Sequence, residues 1–367
     1  MNVATKHIIL SVFVVVVSLT GCNTNEYREI VPTVQKSPID LRTISTTAIT
    51  STFSATTRQK MRFVTTESTN NEADLYFYAT HDLAQSNTGI TNVVISMHGL
   101  AASDGQVKSE YNAINDGIDN SDLANNTVVI APHFFHEGTG LELTWENATW
   151  RVGGKAARPA GAQLSSAQIV DYLLERYLLE NENFPALKEV IIAGHSAGGQ
   201  FAQRYAGISK VESSYPTTNF SYITSNPSHY LYINSNRWSG STIYQPTNCD
   251  TYDDYPYGLS NINGDERYAF ISKIGLETIR SNYINRAVYY LLGEQDTSGA
   301  TRDCESQSQE GESGESRYLR GQYMLQFMDD QYPSNEHEVI SVANAGHSAS
   351  AIYSSPAFIQ LMNQITN

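Results

Sequence analysis

The sequence predicts an α/β protein built on a mostly parallel, doubly wound sheet. Three observations carry this. Short apolar runs recur at residues 93–97, 128–131, 190–193, 222–225, 287–292 and 338–342. They are continuous rather than alternating, as expected of strands covered on both faces. Helical patterns lie between them or after them, at 162–179, 201–208, 316–330 and 356–365. Strands alternating with helices imply parallel crossover connections. Finally, Gly194-His195-Ser196-Ala197-Gly198-Gly199 stands where an apolar β-branched run meets a helical pattern. In that setting G-x-S-x-G marks a sharp turn that lifts a serine hydroxyl clear of the sheet.

Residues 1–21 read as a leader. Lys6 and His7 precede an apolar run, 8–17, broken only by Ser11, and Leu19-Thr20-Gly21-Cys22 closes it. The run is too short to span a bilayer and matches the core of a secretory signal. L-T-G-C resembles a bacterial lipobox, which implies cleavage before Cys22 and lipid on its sulfur. A diacylglycerol plus an N-acyl chain such as palmitate suffices for stable anchoring. The expected place is the bacterial cell envelope, outside the cytoplasm. Asn23, rather than Asp, after the cysteine favours the outer membrane, by the sorting preference of enterobacteria-like hosts.

Residues 22–59 are rich in Thr, Ser and Asn and read as a tether between lipid and domain. The domain itself is expected over 60–367. Segments 62–65 and 74–78 look like a strand pair joined by a polar turn. Residues 229–284, rich in Tyr and Asn, fit the alternation poorly. They are expected as an excursion over the strand C-termini that forms part of the binding surface.

Formal net charge is −15, from 38 acidic and 23 basic residues. This opposes nucleic-acid binding and adhesion to anionic lipid, leaving attachment to the lipid anchor. With Cys22 used, Cys249 and Cys304 make an even pair in an oxidising compartment, where a disulfide is the default. Closing that loop would contribute roughly 4 kcal/mol in the chain-entropy model.

A serine hydroxyl becomes a nucleophile when a histidine takes its proton and a carboxylate orients the histidine. The turn Gly194 to Gly199 resembles that of the α/β-hydrolases, which implies the chain order serine, acid, histidine. His347, in Asn344-Ala345-Gly346-His347-Ser348 after the last strand, fits the base; His337 lies at that strand's wrong end. Asp296, four residues beyond the apolar part of 287–292, fits the acid. Asp303 is its main rival and Glu294 a weaker one. The oxyanion needs two backbone N–H donors: Ala197, after the nucleophile, and Leu100, in the His98-Gly99-Leu100 loop after the first parallel strand. His98 is expected to order that loop. His195 is expected to point away from the serine hydroxyl, toward packing. His133 and His136 space as H-x-x-H, but no Cys or carboxylate stands at a convincing ligand distance in sequence. Asp104, Asp119, Asp122, Asp253 and Asp254 form no Ca²⁺-loop pattern. No metal or other cofactor is expected.

Through the turn G-H-S-A-G-G, the loop M-H-G-L and the tail A-G-H-S, residues 62–365 resemble the α/β-hydrolase superfamily. A closer likeness is to secreted hydrolases similar to poly(3-hydroxyalkanoate) depolymerases and feruloyl-type esterases. It rests on Trp145 and Trp150 with Gly153-Gly154, on Ser225 to Tyr230, on Tyr257-Gly258-Leu259, and on Gly293 to Thr297 with Asp303-Cys304. The resemblance implies an α/β-hydrolase fold and hydrolysis through an acyl-enzyme. The expected activity is that of an extracytoplasmic carboxylesterase acting on a small or polymeric ester. Trp145, Trp150 and Tyr230 are candidate substrate contacts or, equally, residues that pack the excursion. The alternatives are a peptidase or amidase with the same three residues, and a non-catalytic surface binding lipoprotein on a hydrolase scaffold.

Overall fold

The computed structural model describes residues 44–47, 49, 53–65, 72–160, 162–180, 182–299, 303–312 and 316–366. All fall in the compact unit Ser37–Asn367. The expected leader and Cys22 lie outside the described residues. Eleven strands are described: β1 Ile44–Thr47, β2 Gln59–Thr65, β3 Glu72–Ala79, β4 Asn92–Met97, β5 Thr127–His133, β6 Glu189–His195, β7 Asn219–Ser225, β8 Arg237–Trp238, β9 Ile243–Tyr244, β10 Ala287–Gly293 and β11 His337–Val342. Nine form one sheet, in the order β1-β2-β3-β5-β4-β6-β7-β10-β11. The pairs from β1 to β5 are antiparallel. The six strands from β5 to β11 run parallel, and β8–β9 is a separate hairpin.

Successive residues of the central strands face opposite layers, so each strand feeds two cores. Val93, Ile95, Val128, Ile130, Val190 and Ile192 pack into one. That layer holds helices α2 Ser166–Leu173, α3 Ala197–Ile208, α5 Leu276–Asn285 and α7 Arg317–Gln331. Val94, Val129, Ile191, Ala193 and Ile223 pack into the other, with α1 Asp104–Asp119, α8 Ala349–Tyr353 and α9 Pro356–Thr366. Two short helices, α4 Ala269–Ser272 and α6 Cys304–Gln307, complete the described set. Both faces of the sheet are therefore covered, and this explains why the strands read as unbroken apolar runs. Caps agree with the sequence. Ser103 accepts the Gln106 N–H at the start of α1, and Ser165 with Gln168 forms a capping box on α2.

Three expectations need correction. The stretch expected as a tether to residue 59 already contributes edge strand β1, paired with β2. Farther along it, the Ala55 carbonyl accepts the Tyr111 hydroxyl and the Thr56 carbonyl accepts Lys108 Nζ. Threonine is β-branched, and an edge strand tolerates polar side chains. Helix α1 was not anticipated. Its apolar face, Val107, Tyr111, Ile114 and Ile118, has helical spacing, but Gly105, Gly117 and many Asp and Asn residues dilute the pattern. The segment 229–284 is more deeply packed than a surface excursion. Tyr230, Tyr232, Ile271, Ile279 and Tyr283 belong to the core, and the Tyr255 hydroxyl donates to the Val152 carbonyl at 2.5 Å. Cys249 and Cys304 are joined as a disulfide. Among the described residues, no helix is long and apolar enough to cross a membrane.

Candidate active site

β4 lies between β5 and β6, so the chain leaves it toward opposite edges of the sheet. Such a switch point opens a crevice at the strand C-termini. The loop after β4 carries Leu100 and the turn after β6 carries Ser196. Ser196 has φ 57° and ψ −114°, a conformation costing on the order of 1–3 kcal/mol for a non-glycine residue. Crowding holds it there. A Cβ at Gly194 would come within 2.3 Å of the Gly198 backbone, and one at Gly198 within 2.0 Å of the Met97 carbonyl oxygen. The Ser196 N–H is tied to the Ser225 carbonyl at 2.8 Å.

Asp296 and His347 come from the loops after β10 and β11. His347 Nδ1 lies 2.7 Å from Asp296 Oδ2, and His347 Nε2 lies 3.1 Å from Ser196 Oγ. With a carboxylate accepting at Nδ1, that nitrogen carries the proton. Nε2 is then free to accept from the serine hydroxyl. Asp296 is 2% exposed, and Arg317 Nη1 donates to its other oxygen at 3.2 Å. Asp303 sits elsewhere: its Oδ1 caps α6 by accepting the Ser306 N–H at 2.8 Å. Glu294 is exposed.

The His98–Ala102 loop is clamped from several sides. The Phe134 N–H donates to His98 Nε2 at 3.0 Å, so His98 Nδ1 carries the proton and donates to the Gly99 carbonyl at 2.8 Å. Burial pushes the His98 imidazole down to about 3, which keeps it neutral. In a trans peptide the C=O and the following N–H point opposite ways. Fixing the Gly99 carbonyl inward therefore aims the Leu100 N–H outward. His133, also buried and pushed down to about 4, donates from Nε2 to the Ala102 carbonyl at 2.7 Å and accepts Arg58 at Nδ1. Glu110 of α1 is buried against Gly99 and Gln106, and burial raises its carboxyl to about 8. Gln106 Oε1 accepts the Ala102 N–H at 3.0 Å.

A cavity of about 570 Å³ joins these parts; Leu100, Gln106, Glu110, His195, Ser196 and His347 line it. Leu100 is 52% exposed at its rim. His195 is buried and packs against His347. Its ring lies 4.5 Å from that of His347, and burial pushes its imidazole down to about 3. It thus presents a neutral ring against His347.

The expected substrate contacts are core residues. Trp145 and Trp150 are fully buried. Trp145 Nε1 donates to the Gly154 carbonyl at 2.9 Å. Trp150 stacks on Phe134 and tilts against His98, with ring centroids 5.5 and 4.4 Å apart. Tyr230 is also fully buried, edge-on to Tyr290. Rings of this size drive burial wherever a layer can close over them. Among the described residues, none of 229–284 lines the cavity at Ser196. His133 and His136 diverge, His136 lining a separate cavity with Glu137 and Arg158. Among the described residues, the one His/Cys/Asp/Glu group at metal-ligand spacing is Cys249, Cys304 and Glu305, and its two sulfurs are bonded to each other.

Residues that sequence reasoning missed are Glu110, Arg317 and Asn226. The amide of Asn226 bonds both the Gly293 N–H and the Gly346 carbonyl.

A strained serine after a parallel strand, with acid and histidine loops beside it and covered by two helical layers, defines the α/β-hydrolase fold. One solved structure shares this fold at a TM-score above 0.5. The chain is similar to a poly(3-hydroxybutyrate) depolymerase from Bordetella parapertussis, with 17% sequence identity, 84% of this chain and 91% of that one covered, and a TM-score of 0.55. It is also similar to poly(aspartic acid) hydrolase-1 from Sphingomonas sp. KT-1, at 16% identity, 83% and 97% coverage and a TM-score of 0.49. An S-formylglutathione hydrolase from Agrobacterium tumefaciens matches at 13% identity, 87% and 99% coverage and 0.46. No family model and no curated protein sequence matches the chain.

Proposed function

We propose that this chain is a serine hydrolase that cleaves carboxylic esters through an acyl-enzyme. The observation that carries the reading is the relay from Asp296 through His347 to Ser196, at 2.7 and 3.1 Å, on a strained strand–helix turn. Ser196 Oγ attacks the acyl carbon while His347 Nε2 takes its proton. The Leu100 and Ala197 N–H groups receive the oxyanion, and His347 then protonates the departing alkoxide. Water repeats the sequence to release the acid. Asp296 holds His347 in the Nδ1–H tautomer and stabilises the imidazolium. The ester is the proposed substrate over the amide because its leaving group needs less assistance. We further propose attachment to the bacterial outer membrane, outside the cytoplasm, through lipid on Cys22.

A fluorophosphonate probe and a panel of p-nitrophenyl esters test the chemistry. The wild type is expected to label and to turn over esters but not peptides. Ser196→Ala should lose labelling and drop turnover by about 10⁴ or more. Equal silence of wild type and Ser196→Ala would favour a binding protein on this scaffold; peptide turnover would favour a peptidase. The name of the Bordetella protein makes a hydroxyacid polyester one substrate to include. Incorporation of labelled palmitate, abolished by Cys22→Ala, tests the anchor.

A further inference from the structure

Three loops meet at Asn226. Ser225 ends β7 and its carbonyl accepts the Ser196 N–H at 2.8 Å. Asn226 follows, fully buried, with φ 43°. Asparagine is among the few residues that enter this left-handed region readily. Its Oδ1 accepts the Gly293 N–H at 2.9 Å, at the end of β10 and three residues before Asp296. Its Nδ2 donates to the Gly346 carbonyl at 3.2 Å, one residue before His347. The amide thus uses its acceptor on the acid loop and its donor on the base loop.

These two loops are already close. The Gln295 N–H bonds the Ala345 carbonyl at 2.8 Å and the Glu294 N–H bonds the Val342 carbonyl at 3.1 Å. A Cβ on Gly293 would lie 2.5 Å from the Ala345 oxygen. Backbone bonds set their contact with each other; the Asn226 side chain ties that pair to the end of β7, where the Ser225 carbonyl accepts the Ser196 N–H.

We infer that Asn226 is a positioning residue, whose side-chain amide sets the Asp296 and His347 loops in register with Ser196. Its consequence for rate rests on the proposed hydrolase reading. Neither Ser nor Ala can span both partners. A carboxylate at this position would face the Gly346 carbonyl with two acceptors.

Two variants separate side chain from backbone. Asn226→Gly keeps easy access to positive φ but removes both bonds. It should fold and should lower kcat about 30- to 100-fold, the scale expected when reacting groups shift by about 1 Å, with KM changed less than about threefold. Asn226→Asp reproduces the amide only when protonated, its O–H then donating to the Gly346 carbonyl. Its kcat relative to wild type should rise at least about tenfold as pH falls from 9 to 6. The low-field proton resonance of His347 Nδ1–H needs no substrate. It should be present in wild type and broadened or lost in Asn226→Gly. A folded Asn226→Gly with wild-type kcat and an unchanged resonance overturns the inference. So does a loss confined to KM, or a pH-independent ratio for Asn226→Asp. If wild type neither labels nor turns over any ester, the hydrolase reading falls, and the resonance alone still decides the role of Asn226.

Discussion

The two halves of the candidate site are held by different forces. On the Ser196 side, crowding dominates. Gly194, Gly198 and Gly199 let β4, β6, β7 and α3 approach so closely that an added Cβ would meet backbone atoms at 2.0–2.6 Å. Ser196 has little choice but its strained conformation. On the Asp296–His347 side, backbone bonds join the two loops to each other. Side-chain hydrogen bonds from distant elements restrain them: Asn226 from β7 and Arg317 from α7. Steric control gives stiffness without depending on partner chemistry. Hydrogen-bond control can be tuned residue by residue and lost residue by residue.

The sharpest break of this contrast is Gly198→Ala. The new methyl would overlap the Met97 backbone carbonyl, so no side-chain rotation can relieve it. We expect a stability loss of more than about 3 kcal/mol and no measurable turnover, read from thermal melts and ester assays. A folded, active Gly198→Ala would show that crowding is not what holds the turn. Next in size is Asp296→Asn, expected to lower kcat about 10³- to 10⁴-fold by favouring the wrong histidine tautomer, with the fold intact. Asp303→Asn should change kcat less than about twofold, because Asp303 serves as a helix cap that Asn can replace. The reverse pattern would move the acid to Asp303.

This division decides what could be read in the sequence. Ser196, Asp296 and His347 were locatable because local patterns and chain order mark them: glycines around the serine, an acid just past a strand, a histidine after the last one. The six parallel strands were legible because two-sided burial writes itself as unbroken apolar runs. Asn226 and Arg317 were not legible as site residues, since their partners lie 67, 120 and 21 positions away and no local pattern announces them. Glu110 was hidden with α1, whose Val107, Tyr111, Ile114 and Ile118 spacing was obscured by glycines and turn-forming residues. Trp145, Trp150 and Tyr230 illustrate the opposite error. Aromatic side chains suit both ligands and cores, and only the packing of residues 145–152 and 230–233 under neighbouring elements distinguishes the two.

Arg317 sharpens the comparison at intermediate size. Its guanidinium bridges Asp296 Oδ1 and the Ser298 carbonyl at 3.2 and 3.0 Å. Arg317→Met should lower kcat about tenfold and stability by about 1–3 kcal/mol, because it leaves a buried carboxylate oxygen short of a partner. Arg317→Lys should recover part of the stability and less of the rate, since a shorter, flexible ammonium does not hold a donor where Nη1 meets both acceptors. Equal effects on rate and stability in both variants would mean that Arg317 supports the fold alone.

A comparably small effect on activity is expected from Glu110→Gln, and it asks whether the His98–Ala102 loop also depends on the Glu110 side chain. It should not. His98 and His133 hold the same loop at the Gly99 and Ala102 carbonyls, so kcat at pH 7 should stay within about twofold of wild type. Stability is another matter. Burial raises this carboxyl from an ordinary 4.5 to about 8. Below 4.5 it is protonated whether the chain is folded or not. Between 4.5 and 8 only the unfolded chain releases the proton, so stability falls as pH rises across that window, and the loss is complete above 8. At its limit the loss is on the order of 3–5 kcal/mol. Asp171, likewise raised by burial to about 7, adds a similar slope to both proteins and cancels in their difference. Glu110→Gln should therefore match wild type in denaturant melts near pH 4.5 and exceed it increasingly toward pH 8. A constant difference across that range would place the Glu110 carboxylate in contact with solvent. A fall in kcat as large as that of Arg317→Met would place the oxyanion loop under side-chain control, like the loops that carry Asp296 and His347.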